Sequence, residues 1–223
     1  MNQRQLQEKY NDCALCSSCQ TDKKVFGSGN LTAKIVVVGE GPGKDEVAEL
    51  SPFVGAAGQL LIKILTAINL KREDLYFTNT ILCRTDDKNR TPTKQERSNC
   101  KQRLYDELSI VKPRYTLLVG SPALKTIFGD DSKVTEAHGT WLTYLTPPCY
   151  FYYSIMHPAW ILHSATEGEE RIKKRTMWED IKEFRRGIDD FDGHMNWGLI
   201  ENEVKRECRA STNFKVLPEE RKE

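Results

Sequence analysis

Three groups of residues in this sequence have the types and spacing to do chemistry. The first is Gly39-Glu40-Gly41-Pro42-Gly43, a carboxylate inside a run of glycine and proline, followed by Ser51-Pro52-Phe53-Val54-Gly55. Glycine lets backbone N–H groups come close to a ligand, and a carboxylate in such a loop can orient water or offset positive charge. The second group is two single polar side chains, Asn79 in Thr78-Asn79-Thr80 and His157 in Met156-His157-Pro158-Ala159. A carboxamide carries a donor and an acceptor side by side, and imidazole can donate or accept a proton near neutral pH. Taken alone, each has an ordinary alternative: an Asn capping a turn, and a solvent-facing His before a Pro-initiated turn. The third group is cysteine: Cys13-x-x-Cys16 near the N-terminus, then Cys83 and Cys100. Four thiolates suit zinc or an iron–sulfur cluster, and spacing does not separate the two. Cys16-x-x-Cys19 is locally an equally good pair.

The surrounding pattern predicts what must hold these residues. Residues 33–39 form a continuous apolar run of strand length, as in a strand buried on both faces. Residues 75–79 and 115–120 read as two more strands, and 140–145 with 149–155 as a hairpin around Pro147-Pro148. Helical spacing predicts helices over 3–12, 56–69, 92–108 and 171–188, the last basic and amphipathic, and a short helix from Ser121 to Gly129 with Ser121 as N-cap and Pro122 at N1. Strands alternating with helices give an α/β sandwich with a mostly parallel sheet. Glu40, Asn79 and His157 all fall just after strands, so in such a sheet they converge on one edge, where ligands bind.

Composition narrows the setting. A chain of 223 residues suffices for one sizeable core. A net charge of +1 argues against a broad nucleic-acid coat and leaves room for a local basic groove. No apolar run is long enough to span a bilayer, and the first ten residues lack a secretory apolar region, so a cytoplasmic protein is expected. Seven cysteines are an odd number, which favours metal ligation or plain burial over disulfides; Cys149 and Cys208 read as buried thiols. Beyond Asp192 the chain becomes charged and weakly periodic. The division expected is a body over 1–192 and a charged C-terminal appendage over 193–223.

In order along the chain, Gly39-Glu40-Gly41-Pro42-Gly43, Pro52-Phe53-Val54-Gly55-Ala56-Ala57-Gly58-Gln59-Leu60-Leu61, Thr78-Asn79-Thr80-Ile81-Leu82-Cys83-Arg84 and His157-Pro158-Ala159 closely resemble the family-4 uracil-DNA glycosylases, over roughly residues 10–190. The resemblance implies a three-layer α/β/α sandwich with a central four-stranded parallel sheet. It implies hydrolysis of the N-glycosidic bond of uracil in single- or double-stranded DNA, by a monomer; no lyase step is expected, because no lysine nucleophile is positioned near the pocket motifs. It further implies a 4Fe–4S cluster on Cys13, Cys16, Cys83 and Cys100, with zinc as the lesser alternative.

The resemblance also assigns roles. Phe53 stacks on the extruded base, Asn79 reads its edge and His157 donates to O2 of the departing anion. Gly39, Gly41, Pro42 and Gly43 bring backbone groups to the base. Glu40 is the first choice for water or the cationic sugar, with Asp45 and Glu46 behind it. Ser51 and Ser121 face phosphates, and Ile161 or Leu162 wedges into the duplex. Arg84, Lys88, Arg90, Arg171, Lys173, Lys174 and Arg175 could line a basic path. Two departures, Leu50-Ser51 in place of Gly-Arg and His163 in place of Arg, remove cations from that path. The runner-up is a pocket-bearing module that binds uracil-containing or single-stranded DNA without cutting it.

Overall fold

The computed structural model describes residues 1–16, 23–86, 88–143 and 151–194 and the backbone of residues 214–216. The strands are β1 (Ser28–Gly29), β2 (Ile35–Gly39), β3 (Tyr76–Asn79), β4 (Tyr115–Val119), β5 (Thr140–Thr143), β6 (Phe151–Ile155) and β7 (Phe214–Val216). They form one sheet in the order β1-β3-β2-β4-β6-β5-β7. Its centre, β3-β2-β4-β6, is parallel throughout. This is the expected four-stranded parallel sheet, extended at the edges: β1 lies antiparallel to β3, β5 antiparallel to β6, and β7 parallel to β5. The β5–β6 pairing is that of the expected hairpin, whose tip at Pro147-Pro148 lies outside the described residues, as do Cys19, Cys149 and Cys208. β1 and β7 are too short for a periodic signal, and β7 falls within the segment read as an appendage.

The helices are α1 (Gln3–Tyr10), α2 (Lys44–Glu49), α3 (Ala56–Thr66), α4 (Lys94–Val111), α5 (Ser121–Phe128), α6 (Val134–Ala137), α7 (Ala159–Leu162) and α8 (Glu167–His194). Strand alternation divides the core between the two sheet faces. Ile35, Val37, Phe77, Leu117, Tyr153 and Ile155 pack with Leu61 and Leu65 of α3 and Met177, Ile181 and Phe184 of α8. Val36, Val38, Leu118 and Tyr152 pack with Leu104 and Leu108 of α4 and Leu124 and Ile127 of α5. Three layers result, as the alternation of elements requires.

Local chemistry sets the helix boundaries. α4 starts at a capping box: the Thr93 side chain accepts from Glu96 N–H, and the Glu96 carboxylate accepts from Thr93 N–H at 2.8 Å. It stops at Lys112, in the left-handed region (φ 52°), just before Pro113. The α5 cap is Gly120 (φ 86°), so Ser121 is not the N-cap but the first helical residue. α2 has no apolar face and buries no residue, which is why periodicity does not reveal it.

Candidate active site

A cleft of about 360 Å³ opens at the carboxyl edge of the parallel strands. Its lining includes Glu40, Gly41, Pro42, Gly43, Phe53, Asn79 and His157. Gly39 lies beneath them. A Cβ there would come within 2.5 Å of Asn79 Oδ1 and 2.7 Å of Phe53 Cζ, so only glycine lets the carboxamide and the ring meet over the end of β2. Lys44, Asp45 and Glu46 also line the cleft, as does the loop from Asn89 to Pro92.

Phe53 holds an aromatic side chain on a left-handed backbone (φ 59°), a conformation costing about 1–3 kcal/mol for a bulky residue. The surroundings enforce it. The Arg72 guanidinium donates to Pro52 O at 2.8 Å and to Phe53 O at 3.3 Å, and lies 4.7 Å over the Phe77 ring. Phe77 in turn packs on Phe53 with centroids 5.3 Å apart, and Gly58 gives the Phe53 backbone room to pass. The next helix, α3, has no side-chain cap of its own; Glu46 accepts from Gly55 N–H at 2.9 Å instead.

Asn79 is 5% exposed and ends β3. Its backbone carbonyl accepts from Arg103 Nη2 at 2.6 Å, and the following amide, Thr80 N–H, donates to Gly39 O at 2.9 Å. The Thr80 hydroxyl donates to the Glu40 carbonyl, which ties the glycine loop to the end of β3.

His157 follows β6 and packs against Gly120. Its Nδ1 accepts from Ala159 N–H at 3.2 Å, so the neutral ring carries its proton on Nε2. Burial holds the imidazole below the usual histidine value of 6.5, opposed by the charge of Glu46 and reinforced by His163. Glu40 is shifted the other way. Burial raises its carboxyl above the usual 4.5, while a hydrogen bond from Thr91 and the charge of Arg97 oppose the rise. The site thus combines a neutral N–H donor, a buried carboxamide, an aromatic ring and a partly desolvated carboxylate.

The sequence model of the Uracil DNA glycosylase superfamily matches residues 26–182. The chain belongs to this superfamily. A type-4 uracil-DNA glycosylase of Thermotoga maritima is 34% identical over 178 residues, covering 78% of this chain and 88% of that protein. Another, of Saccharolobus solfataricus, is 31% identical over 170 residues, covering 70% and 76%. One from Archaeoglobus fulgidus is 43% identical over 117 residues, covering 51% and 58%.

The stretch matched by the superfamily contains every cleft residue named above, whereas Cys13 and Cys16 lie before it. Those two are half-buried; Cys83 and Cys100 are buried, and Cys83 also lines the cleft. Neighbouring contacts draw their segments together. Asn99, beside Cys100, donates to Leu15 O at 3.0 Å and to Cys16 Sγ at 3.2 Å, and Val25 N–H donates to Leu82 O, beside Cys83, at 2.9 Å. Among the described residues, no group of three or more His, Cys, Asp or Glu side chains stands arranged to hold a metal ion. By chemistry alone, four thiolates are a donor set that suits zinc or an iron–sulfur cluster; the contacts above bring the Cys16 segment to α4 beside Cys100.

Three expected DNA contacts change. Ile161 is 2% exposed and packs in the core, so it cannot wedge into a duplex; Leu162, 49% exposed, can. Lys173 is buried, pairs with Glu169 at 2.6 Å and lies over the Trp160 ring, which removes it from a solvent-facing basic path. Arg90 spends its guanidinium on Glu96 in a two-point pair at 2.9 Å. Ser51 and Ser121 are both half-buried, the former 3.4 Å from the Ser28 hydroxyl. Arg72, Thr91, Arg103 and Glu107 support the site without belonging to any motif. For Arg103 and Glu107 a signal exists: they fall on the same helical stripe as Cys100, Leu104, Leu108 and Val111, where charge is out of place.

Proposed function

We propose that this chain is a monofunctional uracil-DNA glycosylase, which extrudes uracil from DNA and hydrolyses its N-glycosidic bond to leave an abasic site. One observation carries the reading: Glu40, Phe53, Asn79 and His157 line one cleft in a member of this superfamily. Taking a base out of the stack costs a few kcal/mol, and the Phe53 ring replaces part of the lost stacking. The Asn79 carboxamide accepts from uracil N3–H and donates to O4. Cytosine presents the reverse pattern, a difference of about 1–3 kcal/mol for a good bidentate pair.

When the bond from C1′ to N1 breaks, its electron pair leaves with the base. The products are an oxocarbenium-like sugar and a uracil anion. His157 Nε2–H donates to O2 of that anion, an interaction stronger in the transition state than before it. Glu40 offsets the sugar's positive charge and takes a proton from the water that adds to C1′. A lyase step needs a desolvated or otherwise activated amine. Lys44 is at the cleft, but it is exposed and beside Asp45. Borohydride trapping is therefore expected to give no covalent complex with DNA.

The same reading assigns Cys13, Cys16, Cys83 and Cys100 to a 4Fe–4S cluster of structural role, tying the N-terminal segment to α4 and to the loop after Cys83; zinc is the other occupant these donors admit. Iron and zinc analysis of anaerobically prepared protein decides between them. Cys83→Ala is expected to lose the cluster and soluble protein, and a stable, iron-replete variant contradicts the assignment. Ser51, Ser121 and Leu162 complete the DNA face. The catalytic body spans residues 1–192 and acts as a monomer in the cytoplasm, and the remainder is an appendage that lends β7 to the edge of its sheet. No helix among the described residues is long and apolar enough to cross a membrane. The deciding experiment incubates the protein with oligonucleotides bearing uracil opposite G, opposite A and unpaired, then with alkali. Cleavage at uracil is the expected result. Binding without cleavage overturns the enzyme and leaves a binding module.

A further inference from the structure

Arg103 and Glu107 of α4 form a buried ion pair at 2.7 Å, each side chain about as inaccessible as the apolar core around it. Buried charges are costly to desolvate, and an apolar pair of similar volume often serves stability as well or better. The contacts of this pair point to a different use. Glu107 Oε1 accepts from Gly27 N–H and the Tyr76 hydroxyl, both at 2.9 Å. Its Oε2 accepts from the Thr78 hydroxyl at 2.5 Å and from Arg103 Nη1. Burial and the Glu107 charge push the Tyr76 phenol far up, which keeps it protonated and donating. The carboxylate is therefore held from four directions, and it holds the guanidinium. Arg103 Nη1 also donates to Thr78 Oγ1 at 3.1 Å, while Nη2 reaches Asn79 O at 2.6 Å. Arg103 Nε, by contrast, has no partner. The fork is turned toward the end of β3 at the expense of one of its own donors.

The peptide between Asn79 and Thr80 is thereby fixed at both ends, its carbonyl by Arg103 and its N–H by Gly39 O. The Asn79 side chain leaves the backbone beside that peptide, with its Oδ1 over Gly39. We propose that Arg103 and Glu107 are positioning residues for base recognition: they fix the plane of the 79–80 peptide, and so the aim of the Asn79 carboxamide, and thereby set the preference for uracil over cytosine. This rests on the reading of Asn79 as the base-edge reader.

The test is a mutant cycle under single-turnover conditions, with KM and Tm measured alongside. Arg103→Met combined with Glu107→Gln removes both charges together, so neither is left buried alone. The expected result is a loss of about 10- to 100-fold in the excision step, the scale of a small misplacement at a reacting site, with KM nearly unchanged and a fall in Tm, from the buried groups left without partners, that does not account for the lost rate. The ratio of uracil to cytosine excision falls with it. Added to Asn79→Ala, the same pair of changes produces no further loss. Arg103→Lys keeps a charge for Glu107 but not the planar fork, and serves if the double variant does not fold; it is expected to lose rate in the same way, again only while Asn79 is present. A wild-type rate in these variants, an equal loss in the Asn79→Ala background, or a loss that follows Tm alone overturns the proposal. If Asn79→Ala itself excises uracil at the wild-type rate, the reading of the pocket fails instead, and the two failures are told apart.

Discussion

The Asn79 and His157 walls of the cleft are built in opposite ways. Behind Asn79 stands a polar network: Arg103, Glu107, Tyr76, Thr78 and the Gly27 amide, all buried. Next to His157 the neighbouring Tyr153, Ile155 and Ile161 belong to the apolar core, and a single backbone N–H, from Ala159, fixes the ring. The difference follows from what each side chain must do. A carboxamide reads the base edge with two atoms at once, so the backbone that carries it has to be held in place. An imidazole needs its proton on the correct nitrogen and needs to stay neutral. One N–H donor secures the first and burial the second.

The largest effect is expected from removing either wall's functional group. His157→Ala is expected to cost about 10²–10³ in the excision rate, the usual range for loss of a donor to a developing anion. Asn79→Ala should bring a comparable loss together with a fall in the preference for uracil, which His157→Ala should leave intact. Rates on uracil and on cytosine, measured for both variants, check this; equal discrimination in the two would erase the proposed division of labour.

Next in size is Arg72→Ala. Its guanidinium carries two carbonyls of the strained Phe53 loop and covers Phe77. Removing it leaves the left-handed Phe53 backbone held by packing alone, so a loss of about 1–3 kcal/mol is expected, the size of the strain it restrains. Denaturant unfolding measures the loss. Because the Phe53 loop belongs to neither wall, KM should rise while the ratio of uracil to cytosine excision stays constant.

How far the sequence discloses this arrangement depends on whether a residue's neighbours along the chain report its environment. The β2 run Ile35-Val36-Val37-Val38 does so, since four consecutive apolar residues require burial on both faces. The convergence of Glu40, Asn79 and His157 follows, because each stands at the end of a parallel strand. Arg103 and Glu107 defeat this logic. A charged pair four residues apart reads as a solvated helix face, and only the apolar residues sharing its stripe hint otherwise. Ile161 and Leu162 are adjacent and alike in chemistry, so the short helix α7 alone decides which is buried. Arg72 reaches the Phe53 loop across nineteen residues, a contact no local pattern encodes.

A smaller effect is expected from Leu162→Ala. Leu162 is exposed at the end of α7, on the chain that follows His157. As a wedge it fills the gap left in a duplex and has nothing to fill in a single strand. The variant should therefore lose several-fold in excision from duplex DNA, the scale of part of one unstacked step, and almost nothing from single-stranded DNA. An equal loss on both substrates would place Leu162 in the support of His157 instead.

The smallest effect concerns Glu40, which lies between the walls and is tied to the loop after Cys83 through Thr91. Its carboxyl is raised above 4.5 by burial, and the Thr91 hydroxyl favours the ionised form. The sign follows from linkage. A raised group contributes stability that is full below its unfolded value and is lost as pH rises through its folded value. His157, depressed below 6.5, contributes stability that is full above that value and is lost as pH falls through its folded value. Thr91→Val removes the bond to the ionised carboxylate, so Glu40 should rise further. Stability should be unchanged well below pH 4.5 and lower by about 0.5–1.5 kcal/mol near pH 8, the worth of one hydrogen bond. If Glu40 handles the water, the acid limb of the excision profile shifts to higher pH by the same cause, with rates near pH 8 almost unaltered. A profile that stays in place while the stability curve moves would keep the titration and remove Glu40 from the chemistry, leaving Asp45 and Glu46 as the carboxylates at the cleft.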